Sequence, residues 1–289
     1  MVIPRLGKKI DRSMPTMGKR ERTMELISVR ETRGLNPGML FRQVFLALVL
    51  LLVANSAMAE GAPGPPPGKW SLGIGAGVSS SPYRGVGSET MPFPLLVYRG
   101  ERLFFRGIEL GYRLLQQNGY EIAVLAKYRF QGYDGHDSSY LRGMEDRQGT
   151  LEGGLQASRK TAYGQFRLTL LGDLFGEHKG YEADAAYSKS FHFEKLIVKP
   201  AISVIWQSSQ LVDYYYGVTR QEETATRPFY KGDWSVLTQV GLTAIYMLNG
   251  QWAINARASM TRLPDEIVNS PIVDDRMVAS GFVGVIYRF

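Results

Sequence analysis

Phe282-Val283-Gly284-Val285-Ile286-Tyr287-Arg288-Phe289 closes the chain. Side chains of an extended strand alternate between two faces. Phe289, Tyr287, Val285, Val283, Gly281 and Ala279 therefore share one face, and Arg288, Ile286, Gly284, Phe282 and Ser280 the other. An apolar row that ends on an aromatic fits two structures: the last strand of a soluble sandwich, or the closing strand of an outer-membrane barrel whose lipid face carries an aromatic girdle.

The preceding segments favour the barrel. In Tyr120–Phe130, YEIAVLAKYRF, the residues Tyr120, Ile122, Val124, Ala126, Tyr128 and Phe130 form one face, while Glu121, Lys127 and Arg129 form the other. Trp234, Val236, Val240, Leu242, Ala244, Tyr246 and Leu248 make a second apolar row, and Trp252, Ile254, Ala256, Ala258 and Met260 a third. Asn249-Gly250 between these two reads as a two-residue hairpin turn. Small or uncharged residues stand opposite, Ser71, Gly73, Gly75 and Gly77 early and Ser235, Gln239, Gly241 and Thr243 later, where a sandwich would present Lys and Glu in quantity. Such side chains suit a barrel lumen.

The pattern predicts an all-β fold, a closed antiparallel transmembrane β-barrel over residues 70–289. Twelve strands are expected, near 70–78, 92–98, 102–107, 108–115, 119–130, 150–159, 163–175, 180–191, 195–207, 233–248, 251–261 and 276–289. Ten is the alternative if 102–115 is one strand and a further segment is dropped. Even strand number places both barrel ends in the periplasm. The connections 131–149, 208–232 and 262–275 then lie outside, and Gln117-Asn118-Gly119 and Asn249-Gly250 are periplasmic turns.

Val44–Ala54, VFLALVLLLVA, is the one continuously apolar stretch and is too short to span a bilayer as a helix. Arg42 precedes it, and Ala57 and Ala59 supply the small residues of a cleavage site. Residues 1–59 are predicted to be an N-terminal extension and signal peptide cut after Ala59, with Met24 and Met39 as alternative starts. Residues 60–69, rich in Pro and Gly, form a periplasmic lead-in. The first 59 residues hold ten Lys or Arg and four Asp or Glu, so they carry six of the seven formal positive charges. The high isoelectric point thus argues nothing for nucleic acid. There is no cysteine, which excludes disulfides and thiolate metal sites.

No catalytic, cofactor-binding or metal-binding set is expected. Gly73, Gly75 and Gly77 have the wrong spacing for a nucleotide loop. His136 lies among Asp134, Asp137, Ser138 and Ser139, a combination that serves turns; His178 and His192 are read as isolated and solvated. Asp265-Glu266 and Asp274-Asp275 read as a solvated outer loop, with divalent ions bridging to lipopolysaccharide as the alternative. Glu121, Glu152, Glu182 and Asp184 should project into the lumen with Lys127, Arg129, Arg167 and Lys199, either closing it by pairing or lining a water path. Tyr214, Tyr215 and Tyr216, with Trp234 downstream, read as an outer-rim anchor or an interface patch. Trp70 and Arg288 mark the periplasmic rim.

Tyr98–Gly100 (YRG), Gly143–Gly154 (GMEDRQGTLEGG), Val212–Val218 (VDYYYGV), Arg262–Arg276 (RLPDEIVNSPIVDDR) and the terminal YRF together resemble the MipA/OmpV family of outer-membrane proteins. The resemblance runs from about Trp70 to Phe289. It implies a barrel in the outer membrane of a Gram-negative cell and, for one member, a scaffold between a lytic murein transglycosylase and a penicillin-binding murein synthase in peptidoglycan remodelling. A narrow passive channel for small solutes, or an adhesin acting through the outer loops, are the alternatives. No catalytic motif comes with it. Val283, Val285, Tyr287 and Phe289 are expected to meet lipid and to serve as the C-terminal signal for the assembly machinery.

Overall fold

The computed structural model describes residues 70–289; the predicted leader, its cleavage site and the lead-in lie outside the described residues. The strands are β1 (Trp70–Ser79), β2 (Glu89–Arg99), β3 (Leu103–Arg106), β4 (Glu109–Gln117), β5 (Tyr120–Arg129), β6 (Thr150–Lys160), β7 (Gln165–Asp173), β8 (Tyr181–Ser188), β9 (Phe191–Phe193), β10 (Leu196–Gln207), β11 (Ser235–Met247), β12 (Trp252–Arg262) and β13 (Met277–Arg288). Consecutive strands pair antiparallel, except that β8 and β9 both pair with β10 and not with each other, and β13 pairs back onto β1 from Ser71↔Arg288 to Ser79↔Ser280, which closes the sheet.

The thirteen segments make twelve staves. β8 and β9 meet β10 in one continuous register, Ala201↔Ser188 and Val198↔Phe191, with the break at Lys189–Ser190. Opposite the break stands Pro200, which has no N–H to give the ladder. Lys189 N still donates to the Pro200 carbonyl at 3.3 Å. The expected division of 102–115 into two strands is present as β3 and β4.

Register fixes the faces, because directly paired residues point the same way. Ile74, Val124, Val240, Ile254 and Val283 belong to the outward rows, and most of the large ones are exposed to the surroundings of the barrel. No described helix is long and apolar enough to cross a membrane; crossing is by strands. Gly111 shows how tightly the inner face is filled: a Cβ there would lie 2.0 Å from the ring of Phe104, which is fully buried.

The two ends differ. At one, the connections are short. Asn118 (φ 51°) and Gly119 (φ 80°) form a two-residue turn with both residues left-handed, joining Gln117 to Tyr120. The other predicted turn is corrected. Strands stop at Met247 and resume at Trp252, and Asn249 acts through its side chain, Oδ1 accepting from Gln251 N (2.9 Å) and Trp252 N (2.8 Å). At the opposite end stand the connections 80–88, 130–149, 174–180, 208–234 and 263–276, with short helices at Ser209–Tyr216 and Asp265–Val268.

Candidate functional site: a capped lumen

Four long loops converge over one mouth of the barrel and bury a shared core. Tyr83, Tyr133, Leu141, Met144, Leu211 and Tyr215 are among its members, with Leu263, Ile267, Ile272 and Val273 from the last loop. The Tyr83 ring lies 4.6 Å from Tyr133 and 5.8 Å from Tyr216 between centroids, so loops 80–88, 130–149 and 208–234 touch. Ser270 Oγ donates to the Tyr216 carbonyl at 2.6 Å, which ties in the fourth. Helix Ser209–Tyr216 buries Leu211, Val212, Tyr215 and Tyr216, one face of a helix at the usual spacing. Burial pushes the Tyr216 hydroxyl up to about 12 and raises those of Tyr83 and Tyr133.

Charged side chains lock the cap. Arg147 Nη2 donates to Glu222 Oε1 at 2.9 Å and Oε2 at 3.1 Å, and its Nε to the Tyr214 carbonyl at 2.8 Å. Glu222 also accepts from Glu145 N (2.9 Å) and from Thr219 N and Oγ1 (both 2.9 Å). Buried Arg227 returns to the same loop through the Glu222 carbonyl at 2.8 Å and reaches across to the Tyr140 carbonyl at 2.5 Å. Burial alone would raise the Glu222 carboxyl; the N–H groups of Thr219 and Glu145 and the Arg147 guanidinium overcome this and hold it below the usual carboxylate range.

Beneath the cap, paired charges stand across the upper lumen. Arg129 Nε meets Glu152 Oε1 at 2.8 Å, and its Nη2 meets Glu182 Oε2 at 2.7 Å; Gln207 Nε2 donates to the same Glu182 oxygen at 3.0 Å. His178 corrects the expectation of a solvated ring. It is 3% exposed, its Nδ1 accepts from Gly180 N at 2.9 Å, and its Nε2 lies 3.3 Å from Glu152 Oε1. With Nδ1 accepting, the ring proton sits on Nε2, facing the carboxylate. Local sequence carries no signal for this, because Glu152 comes from the neighbouring stave.

The lower lumen is different. Lys199 is in electrostatic reach of Arg167, Arg106, Arg257 and Lys160, and Arg99 of Arg288 and Arg106. Arg106 and Arg167 have carboxylate partners, Glu109 and Asp184, each at 3.5 Å. Among the described residues, Lys199, Arg257, Arg99 and Lys160 have no carboxylate within salt-bridge distance. Paired charges thus fill the upper lumen and surplus cations the lower.

The predicted surface residues divide. Tyr215 and Tyr216 are buried in the cap and offer no outer contact patch; Tyr214 is half-buried, its hydroxyl accepting from Gln148 N at 3.0 Å; Trp234 is exposed. At the turn end Trp70 packs on Tyr98 (4.5 Å between centroids), and Tyr287 on both Trp252 and Phe289 (5.0 Å each). Val283, Val285 and Tyr287 lie on the outer face, and Phe289 N donates to the Trp70 carbonyl at 3.2 Å. Arg288 shares the inward face of Ser71, its Nη2 3.2 Å from Met247 Sδ. His136 is 90% exposed by side chain; its potential ligand atoms and those of Asp134 and Asp146 lie within 4.8 Å of one another, on a turn that already engages both carboxylates. Asp265 pairs with Arg276 on the surface.

The sequence has relatives. The family described as MltA-interacting protein MipA matches residues 72–289. The MltA-interacting protein of Escherichia coli K12 is 33% identical over 250 residues, covering 84% of this chain and 98% of that protein. The outer membrane protein OmpV of Vibrio cholerae is 29% identical over 213 residues, 72% of this chain and 81% of that one. Among solved structures, the translocator domain of the autotransporter NalP from Neisseria meningitidis is 12% identical with a TM-score of 0.43, covering 86% of this chain and 98% of that one. A continuous match across the whole barrel, in which the capping loops and the terminal strand are both included, leads to one assignment: this chain is an outer-membrane β-barrel belonging to the MipA family of MltA-interacting proteins.

Proposed function

We propose that the protein is a non-enzymatic outer-membrane scaffold that holds a lytic murein transglycosylase, and through it a murein synthase, at its periplasmic rim. One observation carries the reading. The loop end is sealed by a buried core drawn from four loops, while the turn end presents an exposed aromatic rim, Trp252 and Phe289 with Trp70, Tyr98 and Tyr287, around a basic lumen mouth at Arg99 and Arg288. Short turns and both barrel ends belong to the periplasmic side in single-chain barrels. Aromatic and Arg side chains are the usual anchors of protein contacts. The 33% identical relative is named for interacting with MltA.

The test is capture. The barrel is refolded in detergent and immobilised, and solubilised envelope proteins are passed over it. Retention of a lytic transglycosylase, lost when Trp70 and Arg288 are replaced by Ala, supports the scaffold. A folded barrel that retains neither a transglycosylase nor a synthase rejects it.

A further inference from the structure

We propose that the lower lumen binds an anionic amphiphile: the cations around Arg106, Lys199 and Arg257 hold its head group, and its tail leaves the barrel sideways through a gap in the wall beside β2. The inference is independent of the scaffold reading and rests on three observations.

The first is the gap. β3 is only Leu103–Arg106, and it pairs with β2 at Val97–Arg99 alone, with one further bond from Gly107 N to the Leu96 carbonyl. Above that point Glu89–Leu95 pairs with β1 on one side and with no described strand on the other. Across the gap, β5 is paired to β4 no further than Lys127, with Tyr128 N donating to Ile108 O. At about 3.3 Å per residue the open edge runs for roughly 20 Å.

The second is its chemistry. The Leu96 carbonyl points toward β3, and in a strand the residues at i−2 and i−4 point the same way. These are Pro94 and Pro92. Their missing N–H groups therefore fall on the open edge, so a strand from another chain would find no donor along Pro92–Pro94, and on that edge of Glu89–Leu95 only the N–H of Thr90. Pro92 and Pro94 share the outward face of Ala76 and Ile74, which puts the gap at the level of the apolar band.

The third is the path inward. Met91, Phe93, Leu95 and Val97 share the inner face of Gly77, Gly75, Gly73 and Ser71. Phe93 stacks on Phe282 at 5.3 Å, above Gly75, where a Cβ would meet the Phe282 ring at 2.6 Å. This apolar slope descends to Arg106, which pairs with Val97 at the sill of the gap and is in reach of both Lys199 and Arg99. Among the described residues, Lys199 and Arg257 have no carboxylate at salt-bridge distance, and like charges within electrostatic reach of one another are unfavourable until an anion joins them. A soluble anion would use the belt but not the slope; an amphiphile uses both.

The test uses the refolded barrel in phosphatidylcholine nanodiscs, with empty nanodiscs as the blank, and three probes: dodecanoate, 1-dodecanol and butyrate. Saturable dodecanoate binding is expected, with the alcohol and the short acid each weaker by roughly tenfold or more, and the double variant Lys199→Gln, Arg257→Gln weakened as much. Heat-modifiable migration verifies the fold of every sample, and Lys199→Gln alone serves if the double variant does not fold. The proposal is overturned if the alcohol or the charge variants bind as the acid and wild type do, since the belt then recognises nothing. Butyrate binding as tightly as dodecanoate overturns the lateral route, and no saturable binding above the blank overturns the site.

Discussion

Arg147 and Glu222, 75 residues apart in sequence, meet inside the cap with guanidinium-to-carboxylate contacts of 2.9 and 3.1 Å, and both side chains are less than 10% exposed. They join loop 130–149, between β5 and β6, to loop 208–234, between β10 and β11. Removing one member leaves the other buried without a counter-charge, which costs about 3 kcal/mol or more. Arg147→Gln is expected to loosen the cap and spare the barrel. Proteinase K added to reconstituted vesicles should then cut within 208–234, while heat-modifiable migration of the uncut protein is retained.

The same pair makes the cap sensitive to acid. Glu222 is held below the ordinary carboxylate value when folded, so its contribution is fully present above that ordinary value, about 4.3, and is lost as pH falls through the depressed one. Protease resistance of loop 208–234 should therefore drop below about pH 4 in the wild type. Glu222→Gln should show lower resistance at neutral pH and little further change on acidification. Equal acid profiles for the two proteins would show that another group controls the cap.

Tyr215 is fully buried, with its hydroxyl donating to the Gln148 carbonyl at 3.2 Å. Truncation to Ala removes the ring and opens a cavity, a change of about 3–5 kcal/mol in well-packed cores. Planar bilayers carrying Tyr215→Ala are expected to show conductance steps that the wild type lacks. Identical conductance in both would mean that the upper lumen, with Arg129 between Glu152 and Glu182, is the tighter constriction.

Gly111 faces Phe104 across β3 and β4, and Phe104 lies under the guanidinium groups of Arg106 and Arg113 at 4.3 and 4.7 Å from its centroid. Gly111→Ala should lower barrel stability by about 1–3 kcal/mol, the usual cost of overpacking, seen as a lower urea midpoint in folding titrations. Adding Phe104→Ala should recover part of that loss. Simple additivity of the two changes would rule out the ring as the obstacle.

The alternation of Tyr120–Phe130 and of the terminal strand was enough to assign inside and outside, because a strand's faces are set by a local period of two and by nothing distant. The lumen positions of Glu152, Glu182 and Arg129 followed from the same local rule; the strand number also needed the even parity of single-chain barrels, and the turn at Gln117-Asn118-Gly119 its turn residues. Asn249-Gly250 shows its limit: the residues mark a turn, but the strand ends decided that the Asn side chain, and not a two-residue backbone turn, makes it. The cap was not legible. Loops have no period, and which of them meet depends on where closure of the sheet places their stems around the mouth; VDYYYGV reads as surface aromatics until loops 80–88, 130–149 and 263–276 arrive to bury it. His178 was misplaced for the same reason, since its partner Glu152 stands on another stave. The open edge of β2 likewise became visible only when the register showed how soon β3 turns back. Sequence determined what is local, face and turn; the tertiary structure alone decided what is buried, paired or left open, because those depend on contacts between segments far apart in the chain.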